Sequence, residues 1–226
     1  MPKSGSEPVL GVLMLDTHFP RPVGDIGNPA SFDHRVLYSR LDGATVASVV
    51  TGEPLAEGLR ATILDEARRL IAQGATAITT SCGFLSPLQE ELQAALPVPV
   101  ITSALWLLPR LRAQHGADAR FGIITFDARK LSAHHVPDNG RLTIEGLDPQ
   151  CHLHQVIAND TPELDMAQAE ANVTDAARRL RKRAGKLDVV VLECTNLPPY
   201  REKIAEICGC EVLDIHHAIK MFAIYR

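Results

Sequence analysis

Four short apolar runs stand out along the chain, and they fall into two pairs. Val9–Leu15 reads Val-Leu-Gly-Val-Leu-Met-Leu and ends at Asp16, while Phe121–Thr125 reads Phe-Gly-Ile-Ile-Thr and runs through Phe126 to Asp127. Ala75–Thr80 leads into Ser81-Cys82, and Leu187–Leu192 leads into Glu193-Cys194. Runs rich in Val, Ile and Thr, without strict polar alternation, suit strands covered on both faces of a parallel sheet. The stretches 56–72, 87–95, 163–184, 199–208 and 215–225 read as helices. Pro87 and Pro199 fit a first helical turn, where the missing N–H is not needed.

The two pairs form an internal repeat. Asp16 and Cys82 lie 66 positions apart, Asp127 and Cys194 67. Each cysteine is followed at the same offsets by a leucine (Leu85, Leu197), a proline (Pro87, Pro199) and a glutamate (Glu90, Glu202). A further short strand closes each set, at Pro99–Ile101 and Val212–Leu213. A shared order with almost no drift predicts two halves of common design. Strands alternating with helices give an α/β class, here two pseudo-symmetric open parallel-sheet halves with the active site between them. The expected division places residues 1–108 plus 210–226 in a first half carrying Cys82 and residues 109–209 in a second half carrying Cys194. The junction falls near 109–119, and the last helix packs back on the first half.

Composition narrows the partners. With 46% apolar residues the chain can bury a substantial core, and 23 basic against 27 acidic residues give a net charge of −4, which disfavours nucleic acid. The Val9–Leu15 run is too short to span a membrane, and no secretory leader is read in Met1–Pro8. No membrane partner is therefore expected. Five cysteines without compact disulfide spacing point to reduced thiols and a cytoplasmic setting. Gly24-Asp25-Ile26-Gly27 lacks dinucleotide-binding spacing, and Cys151-His152-Leu153-His154 lacks a second ligand pair, so no metal site is read.

In open α/β sheets ligands bind beyond the carboxyl ends of the strands. Cys82 and Cys194 each end a buried strand and precede a helix, whose N-terminal dipole favours a thiolate. If the halves face each other, the two sulfurs flank one cleft. One thiolate then removes a proton from one face of a substrate carbon and the opposite thiol returns one to the other face. The plain alternative for any one cysteine is a small buried core residue. The loop Thr17–Phe32, shaped by Pro20, Pro22, Pro29, Gly24 and Gly27, leaves the first strand beside this cleft. Arg21 in it can clamp a substrate carboxylate, or stand exposed and unpaired. Asp16 can orient or deprotonate a cysteine, or simply close a turn.

This two-cysteine, two-half design resembles the aspartate/glutamate racemase superfamily, which includes glutamate, aspartate and hydantoin racemases, maleate isomerases and arylmalonate decarboxylases. The likeness rests on Ser81-Cys82-Gly83, on Glu193-Cys194-Thr195-Asn196 and on Asp16-Thr17. It implies that Cys82 and Cys194 are the acid/base pair, assisted by Asp16, and that no cofactor is needed. It also implies that Thr17 and Thr195 hold a substrate carboxylate, and that the protein is a homodimer. Amino-acid racemases of the group carry Asn-Thr where this chain has Gly83-Phe84, and His or Glu where it has Asn196. Gly83 can still offer a backbone N–H to an anion, Phe84 can wall an apolar pocket, and Asn196 completes the expected substrate-binding set.

The function expected on these grounds is a cofactor-independent racemase or isomerase of a small carboxylate, such as an amino acid or hydantoin. A decarboxylase or a cis–trans isomerase would use the same cysteines. A non-catalytic small-ligand binder would use the same scaffold.

Overall fold

A computed structural model describes residues 8–224. The reading of Met1–Pro8 falls almost wholly outside them. Among the described residues, eight strands form two four-stranded sheets in which every pair is parallel. The first sheet holds β1 (Val9–Leu15), β2 (Arg35–Leu41), β3 (Ala77–Thr80) and β4 (Val100–Ile101) in the order β2-β1-β3-β4. The second holds β5 (Phe121–Thr125), β6 (Leu142–Gly146), β7 (Val189–Leu192) and β8 (Glu211–Leu213) in the order β6-β5-β7-β8. The α/β class and the two matching halves are thus as the repeat implies. Pairing registers repeat too: Leu10 lies opposite Ala77, and Phe121 opposite Val189.

Helices supply the crossovers that parallel strands require. In chain order they are α1 (Val46–Val49), α2 (Glu57–Ala72), α3 (Gln89–Ala95), α4 (Leu108–His115), α5 (His152–Asn159), α6 (Met166–Ala184), α7 (Arg201–Cys208) and α8 (Ile215–Ile219). The helix read at 163–184 starts three residues later, where the Asp165 carboxylate accepts from the N–H groups of Ala167 and Gln168. Pro87 and Pro198–Pro199 sit in short 3-10 turns, Gly83–Leu88 and Pro198–Tyr200, that lead into α3 and α7. No helix among the described residues is long and apolar enough to cross a membrane.

The expected division needs one correction. Segment 210–226 was placed with the first half, yet β8 pairs with β7, so Glu211–Leu213 completes the second sheet. Beyond it, α8 packs against the turn Ala104–Leu107 of the first half, as expected of the last helix.

Equivalent glycines let the helices approach equivalent strands. A Cβ on Gly11 would stand 2.7 Å from Ile78 Cδ1 and 3.2 Å from Leu70 of α2. One on Gly122 would stand 2.8 Å from Leu180 of α6. Both glycines lie five residues before the acid that ends the strand. Replacing Gly122 by Val overpacks this contact and is expected to cost about 1–3 kcal/mol, read as a lowered Tm. An unchanged Tm would show that the helix has room to move away.

Candidate active site

Cys82 follows β3 and Cys194 follows β7, each at the carboxyl end of a central strand. The two ends face one another, and both cysteines line one narrow cavity between the halves. Thr17, Arg21, Gly83, Phe84, Thr195 and Asn196 line the same cavity, so eight of the nine residues singled out in the sequence converge. Asp16 is the exception. It is half-buried, its carboxylate accepts from the Gly43 N–H at 3.3 Å, and it does not line the cavity. The acid/base role expected of Asp16 therefore gives way to the alternative, closure of a loop after a strand.

The Thr17–Phe32 loop is held rigidly over the cavity. Asp160, at the end of α5, accepts from the N–H groups of His18 at 2.5 Å and Phe19 at 2.8 Å. Arg21 lies over the Phe19 ring at 4.4 Å from its centre. It donates to Asp25 at 2.9 Å and to the Thr17 hydroxyl at 2.8 Å. Gly27 makes room for it, since a Cβ there would stand 2.3 Å from Arg21 Cδ. The loop thus presents an ordered guanidinium paired with the fully buried carboxylate of Asp25.

Asp25 also reaches the second half, where it accepts from Asn196 Nδ2 at 2.7 Å. The Asn196 amide oxygen in turn accepts from the Cys194 thiol at 3.5 Å. One chain of bonds therefore links Arg21, Asp25, Asn196 and Cys194. Sequence reading missed Asp25; its place between two glycines of a proline-rich loop was the available signal. Thr195 has a different job from the one the resemblance implied. Its hydroxyl donates to the Ser81 carbonyl at 2.6 Å, so its proton is committed to joining the halves.

Apolar side chains make up much of the wall. Leu15, Phe19, Val46, Val50, Phe84, Phe126 and Ile157 all contribute. This burial decides the state of the thiols. Desolvation pushes both Cys82 and Cys194 well above the usual thiol value, and the carboxyl of Glu193 pushes both further. The thiolate expected from the helix ends is thus outweighed. Backbone amides of Phe84 and Asn196 lower the two thiols, but by less than burial raises them. At neutral pH the resting cavity holds two protonated sulfurs.

Glu193 is the second residue that sequence reading passed over, although it precedes Cys194. It is 1% exposed, lines the cavity and accepts from the Thr125 hydroxyl at 2.6 Å. Burial pushes its carboxyl up to about 7.

With the geometry in hand, comparison with known proteins places the chain. Residues 34–221 match the family model described as Asp/Glu/Hydantoin racemase, so the protein belongs to that family. Among curated proteins it is similar to dimethylsulfoniopropionate lyase 5 of Emiliania huxleyi (strain CCMP1516), 29% identical over 92% of this chain and 43% of that one. It is also similar to a dimethylsulfoniopropionate lyase of Durusdinium sp. clade D, 27% identical over 91% of this chain and 70% of that one. The chain thus spans less than half the length of the first relative. Among solved structures, unliganded arylmalonate decarboxylase shares the fold with a TM-score of 0.59 at 19% identity, over 91% of this chain and 86% of that one.

The raised Glu193 carboxyl makes a signed prediction. Between its ordinary value of 4.5 and about 7 the folded state holds a proton that the unfolded state has lost. Its contribution to stability is therefore full below pH 4.5 and is lost as pH rises toward 7. Thermal unfolding of wild type and Glu193→Gln across this range should show the variant gaining on wild type up to about pH 7, then a constant difference. A difference independent of pH would mean that Glu193 ionises normally.

Proposed function

We propose that this protein is a cofactor-independent lyase that removes the α-proton of a small carboxylate and expels a leaving group from the β-carbon. Dimethylsulfoniopropionate is the candidate substrate. The observation that carries this reading is the placement of two cysteine sulfurs and an ordered arginine on one narrow, mostly apolar cavity. The curated relatives, matched along nearly the whole chain, direct the choice of substrate.

The chemistry follows from the parts. The substrate carboxylate lies on Arg21, whose fork suits a carboxylate and which Asp25 and Thr17 hold in place. Pairing with Arg21 acidifies the neighbouring α-carbon, and a cavity thiol, once ionised, takes its proton. The C–H electron pair becomes the new C=C bond as the β C–S bond breaks. Dimethyl sulfide leaves as a neutral molecule, and acrylate and one proton complete the balance. The leaving group needs no protonation, so a single base suffices. The second thiol remains as a hydrogen-bond donor to the carboxylate, with Asn196 setting the direction of the Cys194 thiol.

Headspace gas chromatography of the purified protein with dimethylsulfoniopropionate should detect dimethyl sulfide, with acrylate formed one to one. Cys82→Ser and Cys194→Ser should be unequal, the variant lacking the base losing about 10²–10⁴-fold in kcat and the other less. A folded protein that releases no sulfide overturns the reading. Racemisation is the second reading, and the matched placement of the cysteines at equivalent strand ends favours it. It predicts that both serine variants fail alike, with solvent deuterium entering the α-carbon of a chiral carboxylate without elimination.

A further inference from the structure

Glu193 occupies the position that Ser81 occupies in the other half, immediately before the cysteine. Ser81 Oγ accepts from the Leu15 N–H at 2.9 Å, closing the end of β1 against β3. Glu193 makes the corresponding closure in the second half, accepting from Thr125 at 2.6 Å and from the Phe126 amide, the match of Leu15. A serine is long enough for this job. The additional length of the glutamate carries Oε1 across to the first half, where it rests on Gly83. A Cβ at Gly83 would stand 2.3 Å from that oxygen. The Cβ would stand equally close, 2.3 Å, to the Glu193 backbone carbonyl oxygen, so the missing side chain at residue 83 lets both the backbone and the carboxyl of Glu193 lie against it.

Among the described residues, no Lys, Arg or His lies within ion-pair distance of this carboxyl, although it is 1% exposed. A buried carboxylate without a counter-charge is unfavourable, and such groups are ordinarily paired. Arg21, the cavity's cation, is bound to Asp25; its charge lowers the Cys82 thiol but has no resolved effect on Glu193. The titratable groups that feel the Glu193 charge include the two thiols, both protonated at neutral pH, while His154 stacks on Phe126 and His135 packs edge-on against Phe84. The cavity thus has a guanidinium paired with Asp25 and, apart from it, a carboxyl that lacks a cation, with the rings of Phe84 and Phe126 lining the same space.

We propose that Glu193 is the cation-recognising residue of the site: its carboxylate receives the onium end of a zwitterionic substrate whose carboxylate lies on Arg21. This rests on the lyase reading for its substrate class and deepens it into a specificity rule. A sulfonium or quaternary ammonium carries no N–H to donate, so a carboxylate beside aromatic faces in a narrow, desolvated cavity is the chemistry that recognises it.

The test uses binding, not turnover. Isothermal titration calorimetry compares 3-(trimethylammonio)propionate with its uncharged isostere, 4,4-dimethylpentanoate, on wild type and Glu193→Gln. Trimethylamine is a much poorer leaving group than a dialkyl sulfide, so the first probe persists during the titration. At pH 8, where Glu193 is ionised, wild type should bind the cation about 10–100-fold more tightly, as a buried charge-assisted contact implies. That preference should shrink to about twofold or less in Glu193→Gln. It should shrink likewise in wild type at pH 5.5, an arm that needs no variant to fold. Equal binding of the two probes by wild type at pH 8, or a preference untouched by the variant and by pH, overturns the proposal. The two readings fail separately: sulfide release without cation preference refutes the role of Glu193 alone, and cation preference without sulfide release refutes the lyase alone.

Discussion

The Thr195 hydroxyl donates to the Ser81 carbonyl at 2.6 Å, a buried bond that joins the two cysteine-bearing strand ends. Each sheet by itself would offer one thiol at the mouth of an open crevice, as parallel α/β sheets commonly do. Joined at Thr195 and Ser81, and again at Asp25 and Asn196, the two crevices become one cavity with a sulfur from each half.

Closure by an apolar wall has a chemical consequence. Burial holds both thiols in the neutral form, against the pull of the backbone amides that follow each cysteine. A site of this kind does not hold a free thiolate in waiting. The same burial lifts Glu193 to about 7, so the net charge of the cavity changes within the physiological range.

Much of this arrangement was legible in the sequence because repeats encode it twice. The strands bearing Cys82 and Cys194 are buried on both faces, so they appear as unbroken apolar runs, and their matched spacing gives the topology. The edge strands β2 and β6 were not read, because Arg35–Leu41 and Leu142–Gly146 are partly exposed and mix charged with apolar residues. The repeat placed Val212–Leu213 at the end of the second set, where β8 indeed pairs with β7, but the division of the chain carried this strand into the first half together with the last helix. In the site, residues next to a cysteine or at a strand end were found by position. Asp25 was not, because its importance lies in a contact with Asn196, 171 residues away. Asp16 misled, because an acid at a strand end looks the same whether it faces the cavity or Gly43.

A crystal structure of the protein with 3-(trimethylammonio)propionate bound tests the central claim most directly. The α-carbon should lie between the two sulfurs, at about 3.5 Å from the one that acts as base, with the carboxylate on Arg21. A ligand seated outside the cavity, or one whose α-carbon neither sulfur can reach, would contradict the account.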